Sequence, residues 1–258
     1  MPIHSNMVLL IEAYIRNGDE IALIFKKNVV HGKFIRRPNR FQGYVLLNNE
    51  ELMAHVPNTG RCREILTPGT TVILREENNP LRKTSHSLIA AYKGSKLINI
   101  DSQIPNAVVE EALKNKMVEG LEIYPIIERE KVFGDSRFDF KLSLGNSIDY
   151  EKPKEYYLEI KGVTLEMDGI AMFPDAPTER GSKHLLELVK VKNQGLGAGV
   201  LFLMQMDEIK SFRPYDEMDK RFGESLRYAA ENGVDIFAYE CIITENSLTL
   251  SRPIPVEL

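Results

Sequence analysis

Two cysteines, Cys62 and Cys241, are the only sulfhydryls in 258 residues. They lie far apart and form no CxxC pair, so the sequence offers neither a disulfide framework nor a cysteine-rich metal site. That usage fits a reducing, cytoplasmic compartment. The five histidines are scattered without zinc-ligand spacing. The N-terminal apolar run is short and carries Glu12 and Arg16, so no signal peptide and no membrane span is expected. Low-complexity tracts and internal repeats are also missing. Neither GxxxxGK[S/T] nor GxSxG occurs. The run Gly195-Leu196-Gly197-Ala198-Gly199 follows a helix pattern and precedes a strand, the reverse of a dinucleotide fingerprint. These absences leave a small-molecule cofactor enzyme without support.

Basic charge is not in excess either. The formal net charge is −4, which excludes a histone-like polycation. The sum hides an asymmetry: residues 1–84 hold 12 basic and 8 acidic side chains, residues 85–258 hold 21 and 29. From Lys26 to Arg40 there are six basic residues and no acid. Hydrophobic residues at 43% and charged residues at 27% describe an ordinary globular chain of one large or two smaller domains.

Residues 1–84 read as β. Apolar-rich runs at Ile21–Phe25, Phe41–Leu47, Leu52–Val56 and Thr71–Leu74 are separated by turn signals at Asn48-Asn49, Pro57–Gly60 and Pro68-Gly69. An OB-like barrel is one arrangement of such strands; another small β domain is equally compatible. The polar stretch Glu76–Pro80 suggests a boundary near residue 84. Residues 85–258 alternate helix and strand. A helix opens at Pro105-Asn106 and ends by Gly120, and strands follow at Ile123–Val132, Phe138–Leu144 and Tyr156–Leu165, with a Gly145-Asn146-Ser147 turn. Then come a helix over Thr178–Asn193, a strand at Val200–Met206, a helix over Asp216–Asn232 stopped by Gly233, and a last strand at Ile236–Ile243. The order predicts an α/β fold, α+β overall, with a mixed sheet and helices on its faces.

The chemistry concentrates in Ser136–Phe140 and Tyr157–Lys161. Glu159 and Lys161 are two apart on a strand and share one face, while Leu158 and Ile160 take the other. Burying an acid and a lysine there demands partners or a metal. Asp139, on the preceding strand, converges on Glu159 if the two strands pair. Two carboxylates suit Mg²⁺ or Mn²⁺, and the Lys161 ammonium can orient water or stabilise a phosphate. The bland alternative is a surface strand with a Lys–Glu pair. Asp, about twenty residues, then Glu-x-Lys is the pattern of the PD-(D/E)XK nuclease superfamily. The bare pattern arises easily by chance, and the order of helices and strands strengthens it.

Longer runs resemble the SfsA (sugar fermentation stimulation) family: His55–Gly60, Asn79–Lys83, Ser136–Phe140, Glu159–Leu165 and, most specifically, Phe173–Leu188. Val56 stands where the family's form has cysteine. The resemblance implies an N-terminal OB-like nucleic-acid-binding domain (1–84) and a PD-(D/E)XK-type nuclease domain (85–258). It puts the active-site pattern on Asp139, Glu159 and Lys161, and the partners it implies are DNA, RNA or both. Glu111, on the helix before the sheet, is a further candidate carboxylate, against a plain solvated helix face. Glu179, Arg180, Lys183 and His184 are expected to line the cleft as a cluster, with Lys183 also placed to pair with Glu187. In the first domain Lys33, Arg36, Arg37 and Arg40 are expected to meet phosphates, with Arg61, Arg82 and Lys83 extending the surface and Phe34 and Phe41 as core. The competing reading is a non-catalytic DNA-binding regulator that keeps a nuclease fold. Oligomeric state is open, homodimer included.

Overall fold

The structure, a computed structural model, describes residues 23–24, 28–145 and 152–258. Lys26, Lys27, most of the run at 21–25 and the Asn146-Ser147 part of the predicted turn lie outside the described residues.

After a two-residue strand, β1 (Leu23–Ile24), the chain forms β2 (Val29–Asn39), β3 (Gln42–Leu47), β4 (Glu50–His55), β5 (Thr71–Glu76), β6 (His86–Lys93) and β7 (Lys96–Asn99). Asn48 and Asn49 form the β3–β4 turn with φ of 51° and 67°. Asparagine tolerates that left-handed geometry, which is what a two-residue hairpin requires. The strand order is β4-β3-β2-β5-β6-β7, and a His55–Ser87 pairing brings β4 back to β6 and closes a five-strand barrel. Phe34, Val45, Ala54, Val72, Leu74 and Leu88 are buried inside it.

The boundary expected at 84 falls inside this sheet. Glu76–Pro80 belongs to the loop between β5 and β6, drawn in by a bond from Glu77 N to Ser85 O (2.7 Å) and by Arg75 on Glu77 (3.0 Å). The barrel runs to Asn99. Polar composition and proline mark a loop equally well inside a domain and at its edge. Lys93 and Lys96 thereby join the basic half.

The second half begins with α1 (Ile104–Lys114) and continues through β8 (Ile126–Phe133), β9 (Ser136–Ser143), β10 (Glu155–Val163), β11 (Leu165–Met167), β12 (Ile170–Phe173), α2 (Glu179–Asn193), β13 (Gly197–Met204), β14 (Ser211–Pro214), α3 (Lys220–Glu231), β15 (Asp235–Ile243) and β16 (Ser247–Pro253). A seven-stranded sheet has the order β1-β16-β15-β13-β10-β9-β8, and a small sheet has β11-β12-β14. Within the large sheet β10–β13 and β13–β15 are parallel. Parallel neighbours need crossovers, and α2 and α3 supply them. The strand at Ile236–Ile243 is not the last: β16 pairs antiparallel with it. β11, β12 and β14 also escape sequence reading, because three or four residues carry no resolvable period.

Alternation along β10 sorts its side chains between two cores. Leu158 and Ile160 pack with Phe140, Leu201 and Leu203 against Val108, Val109 and Ala112 of α1. Tyr157 and Val163 face the side of Leu185, Leu188, Phe222 and Leu226 from α2 and α3. Both helices are capped: the Thr178 hydroxyl accepts from Gly181 N (3.0 Å) and the Asp219 carboxylate from Phe222 N (3.0 Å). Among the described residues no helix is long and apolar enough to cross a membrane.

The barrel is stitched to the far end of β10. Gln205 N donates to Val163 O, Asn99 N donates to Gln205 O, and Gln205 Nε2 donates to Asn99 Oδ1, each at 2.9 Å. Nearby, Arg75 bridges buried Glu77 (3.0 Å) and Asp101 (3.2 Å). Replacing Arg75 by methionine leaves the buried Asp101 charge without its cation. The expected loss is about 3–5 kcal/mol, read as a lower urea midpoint at neutral pH.

Candidate active site

The site forms where the β9–β10 ladder stops. Backbone pairing runs from Glu155–Ser143 to Leu158–Phe140. Beyond it the Asp139 side chain accepts from Ile160 N through Oδ2 (2.8 Å). Its other oxygen, Oδ1, accepts from Asn106 Nδ2 in the first turn of α1 (2.8 Å). Asp139 therefore sits between helix and strand with both oxygens oriented.

Glu159 is 4% exposed, and its position on a strand buried on both faces explains why. Its Oε1 accepts from Lys161 Nζ (2.5 Å) and from His184 Nδ1 of α2 (2.5 Å). Arg180 Nε donates to His184 Nε2 (3.3 Å). A guanidinium only donates, so Nε2 is the acceptor nitrogen and Nδ1 carries the proton given to Glu159. The other carboxylate oxygen, Glu159 Oε2, is buried without a hydrogen-bond partner among the described residues.

The two carboxyls are pushed apart. Burial, and then the neighbouring Glu159 charge, raise the Asp139 carboxyl above the usual aspartate range, against the Ile160 and Asn106 hydrogen bonds and Lys161. Burial alone would raise Glu159 too. The His184 hydrogen bond and the Lys161 charge outweigh it and hold Glu159 below the ordinary glutamate range.

An orphaned buried carboxylate oxygen beside a second carboxylate suits a hard divalent cation. Among the described residues no group of three or more His, Cys, Asp or Glu is arranged to hold a metal ion. The protein thus offers a pair, a number compatible with Mg²⁺, which keeps several waters.

The remaining candidates separate. His184 is part of the site, and Arg180 stands behind it. Glu179 is exposed at the start of α2, where its charge favours the helix dipole. Lys183 reaches Asp135 O in the β8–β9 turn (3.3 Å). The expected Lys183–Glu187 pair is not formed, because Glu187 takes Lys190 instead (2.6 Å). Glu111 is buried, not solvated, and is bonded to neither Asp139 nor Glu159. It lies five residues past Asn106, about 7.5 Å further along the helix, with its Oε1 unpartnered among the described residues. The sequence does not single out Asn106, whose only signal is the helix start at Pro105-Asn106.

On the barrel, Arg36, Arg37, Arg40 and Arg61, joined by Arg63, line one cleft of about 460 Å³. Lys33, Arg82 and Lys83 do not line it. Lys33 bonds Thr71 Oγ1 (2.8 Å), Arg82 bonds Ser87 Oγ (3.0 Å) beside Glu77 (3.4 Å), and Lys83 is exposed elsewhere. Two arginines are otherwise occupied: Arg36 pairs doubly with Glu51 (2.6 and 2.9 Å), and Arg37 donates to the carbonyls of Arg40, Asn58, Gly60 and Arg61. Phe34 is core, as expected. Phe41 is not: it sits at the hairpin tip, 48% exposed.

The fold and site thus define a chain with an OB-type barrel followed by a mixed-sheet domain, carrying two carboxylates and a lysine where β9 parts from β10. Residues 35–100 match the family described as the SfsA N-terminal OB domain, and residues 103–247 the one described as the sugar fermentation stimulation protein RE domain. The chain belongs to the SfsA family. It is 64% identical over 226 residues to a sugar fermentation stimulation protein homolog of Clostridium acetobutylicum, covering 88% of this chain and 96% of the relative. A homolog of Clostridium tetani is 61% identical, with 92% and 100% covered. A solved structure described as Pyrococcus furiosus SfsA in complex with Ca²⁺ matches with a TM-score of 0.82 at 28% identity, over 93% of this chain and 100% of that one.

Proposed function

We propose that the protein is a divalent-metal-dependent phosphodiester hydrolase acting on nucleic acid. The observation that carries this reading is the buried, unpartnered Glu159 Oε2 beside Asp139, with the Lys161 ammonium on the same carboxylate. Asp139 and Glu159 would hold the ion, and the bound ion would supply Lewis-acid charge at the phosphate. Ca²⁺ in the Pyrococcus furiosus relative, a hard oxygen-seeking cation, supports a divalent site in this family.

The chain's own residues have separable tasks. Asn106 and Ile160 N fix the Asp139 carboxylate. His184, oriented by Arg180, holds Glu159 through one oxygen and leaves the other available. Lys161 places a positive charge where negative charge grows during attack on phosphorus and can orient the attacking water. A lysine released toward substrate exchanges its bond to Glu159 for one to a phosphate oxygen. The barrel, with its basic cleft, would hold the nucleic acid.

The test is hydrolysis of labelled DNA and RNA with Mg²⁺ or Mn²⁺, with EDTA and with Asp139→Asn. Product formation that EDTA and the substitution abolish is expected; cleavage indifferent to both sinks the reading. Salt-dependent binding without turnover over several metals would instead support a binding regulator.

Metal affinity carries its own pH signature. A proton on Asp139 competes with the ion, and this carboxyl is raised. Metal binding therefore strengthens as pH rises through the Asp139 pKa. On acidification it weakens sooner than an ordinary aspartate would dictate. Calorimetric Mn²⁺ titrations across the acid range check this, and an affinity flat down to the usual aspartate range would contradict it.

A further inference from the structure

We infer that the barrel's arginine cleft takes a single, unpaired nucleic-acid strand, with its phosphates on Arg40, Arg61 and Arg63 and a base stacked on Phe41. This deepens the proposed function and rests on nucleic acid being the ligand.

The cleft lies between the β2–β3 hairpin and the loop from Thr59 to Pro68, and among the described residues no carboxylate lines it. Its arginines are not equivalent. Arg36 is set aside by Glu51 and lies over the Tyr44 ring (4.0 Å). Arg37 bonds only neutral carbonyls, so its position is fixed while its charge remains uncancelled in the wall. Arg40, Arg61 and Arg63 have no carboxylate partner among the described residues. They are the guanidiniums available to an incoming anion. The wall that carries Arg61 is tied down at two backbone amides: Gly60 N donates to Asn58 Oδ1 (2.6 Å) and Arg61 N to Asp175 Oδ2 (3.1 Å).

Phe41 chooses between strand and duplex. It belongs to the same hairpin as the cleft, with the Arg40 guanidinium 5.0 Å from its ring centre. Its backbone is pinned by Asn39 Oδ1 (2.9 Å) and by the bond from Val56 N to its carbonyl (2.9 Å). The exposed ring is therefore presented on a fixed frame. A duplex hides its base faces within the stack and gains nothing from such a ring. An unpaired strand sets a phosphate into a concave basic cleft and lays the neighbouring base on an aromatic face.

The experiment is anisotropy on the full chain in EDTA, so that hydrolysis plays no part. The probes are labelled single-stranded DNA and RNA, the matching blunt duplex, and poly-glutamate as competitor. The single strands are expected to bind about ten-fold or more tightly than the duplex, and Phe41→Ala to cost about ten-fold on the single strand alone. Arg61→Ala and Arg63→Ala should each lower the salt slope by about 0.7. Thermal melts should match wild type, because all three side chains are exposed. Equal affinity for strand and duplex, an unchanged Phe41→Ala, or displacement by poly-glutamate as efficient as by oligonucleotide would overturn the inference. Each of those results leaves the hydrolytic reading standing. Loss of hydrolysis with strand binding intact would remove the hydrolytic reading and leave this one.

Discussion

Lys161→Met is expected to lower the proposed metal-dependent hydrolysis by about 10²–10³-fold, the range seen when one preorganised charge is removed from a developing anion. Methionine keeps the length and most of the volume of a side chain that is only 15% exposed. It leaves buried Glu159 with His184 as its remaining donor, so some stability is lost, and the rate is compared on protein shown to be folded by its thermal melt. The diagnostic feature is the split between chemistry and metal binding. Lys161 now occupies Glu159 Oε1 at 2.5 Å. Removing a competing cation leaves the Mn²⁺ affinity equal or higher while the rate falls. Single-turnover rates and calorimetry on the same preparation separate the two. Weakened metal binding in parallel with the rate would mean that Lys161 merely supports the fold of the carboxylates.

The second large effect is structural. His184→Ala removes a donor from a buried carboxylate and opens a cavity beside the Phe138 ring, whose centre lies 5.9 Å from the imidazole. The expected cost is about 3 kcal/mol, combining a charge-assisted hydrogen bond and the cavity. The pH dependence gives the mechanism. Glu159 is depressed in the folded state. Its contribution is therefore fully present above its unfolded pKa and lost as pH falls through the folded one. Without His184 that contribution shrinks, and the variant loses less stability on acidification than wild type does. Urea midpoints at neutral and acidic pH measure this. His184→Asn, which keeps an N–H donor, should recover part of the loss; an equal loss in both variants would assign the effect to packing alone.

The β10 strand is legible because a strand's period of two leaves little freedom. Once Leu158 and Ile160 are core, Glu159 and Lys161 share the opposite face. The α2 helix was equally readable, since Thr178 caps it and Gly195 follows its end. Asn106 was not, because its partner lies 33 residues away and only the packing of α1 on the sheet brings the two together. The arginines show a similar limit. Their charge is visible in sequence, but whether a guanidinium is free depends on tertiary neighbours: Glu51 captures Arg36, and four carbonyls hold Arg37. Phe41 reads as core by composition and is exposed because it sits at a hairpin tip. The misplaced boundary has the same origin. A polar, proline-terminated stretch looks like a linker until β6 is seen pairing with β5 across it.

Asp139 and Glu159 are proposed to share a divalent ion. Anomalous diffraction at the manganese edge from Mn²⁺-loaded crystals tests this most directly. A single strong peak bonded to Glu159 Oε2 and an Asp139 oxygen, lost in Glu159→Gln, is the predicted result. Saturating Mn²⁺ with no peak between these two carboxylates, or with its peak elsewhere on the chain, would contradict it.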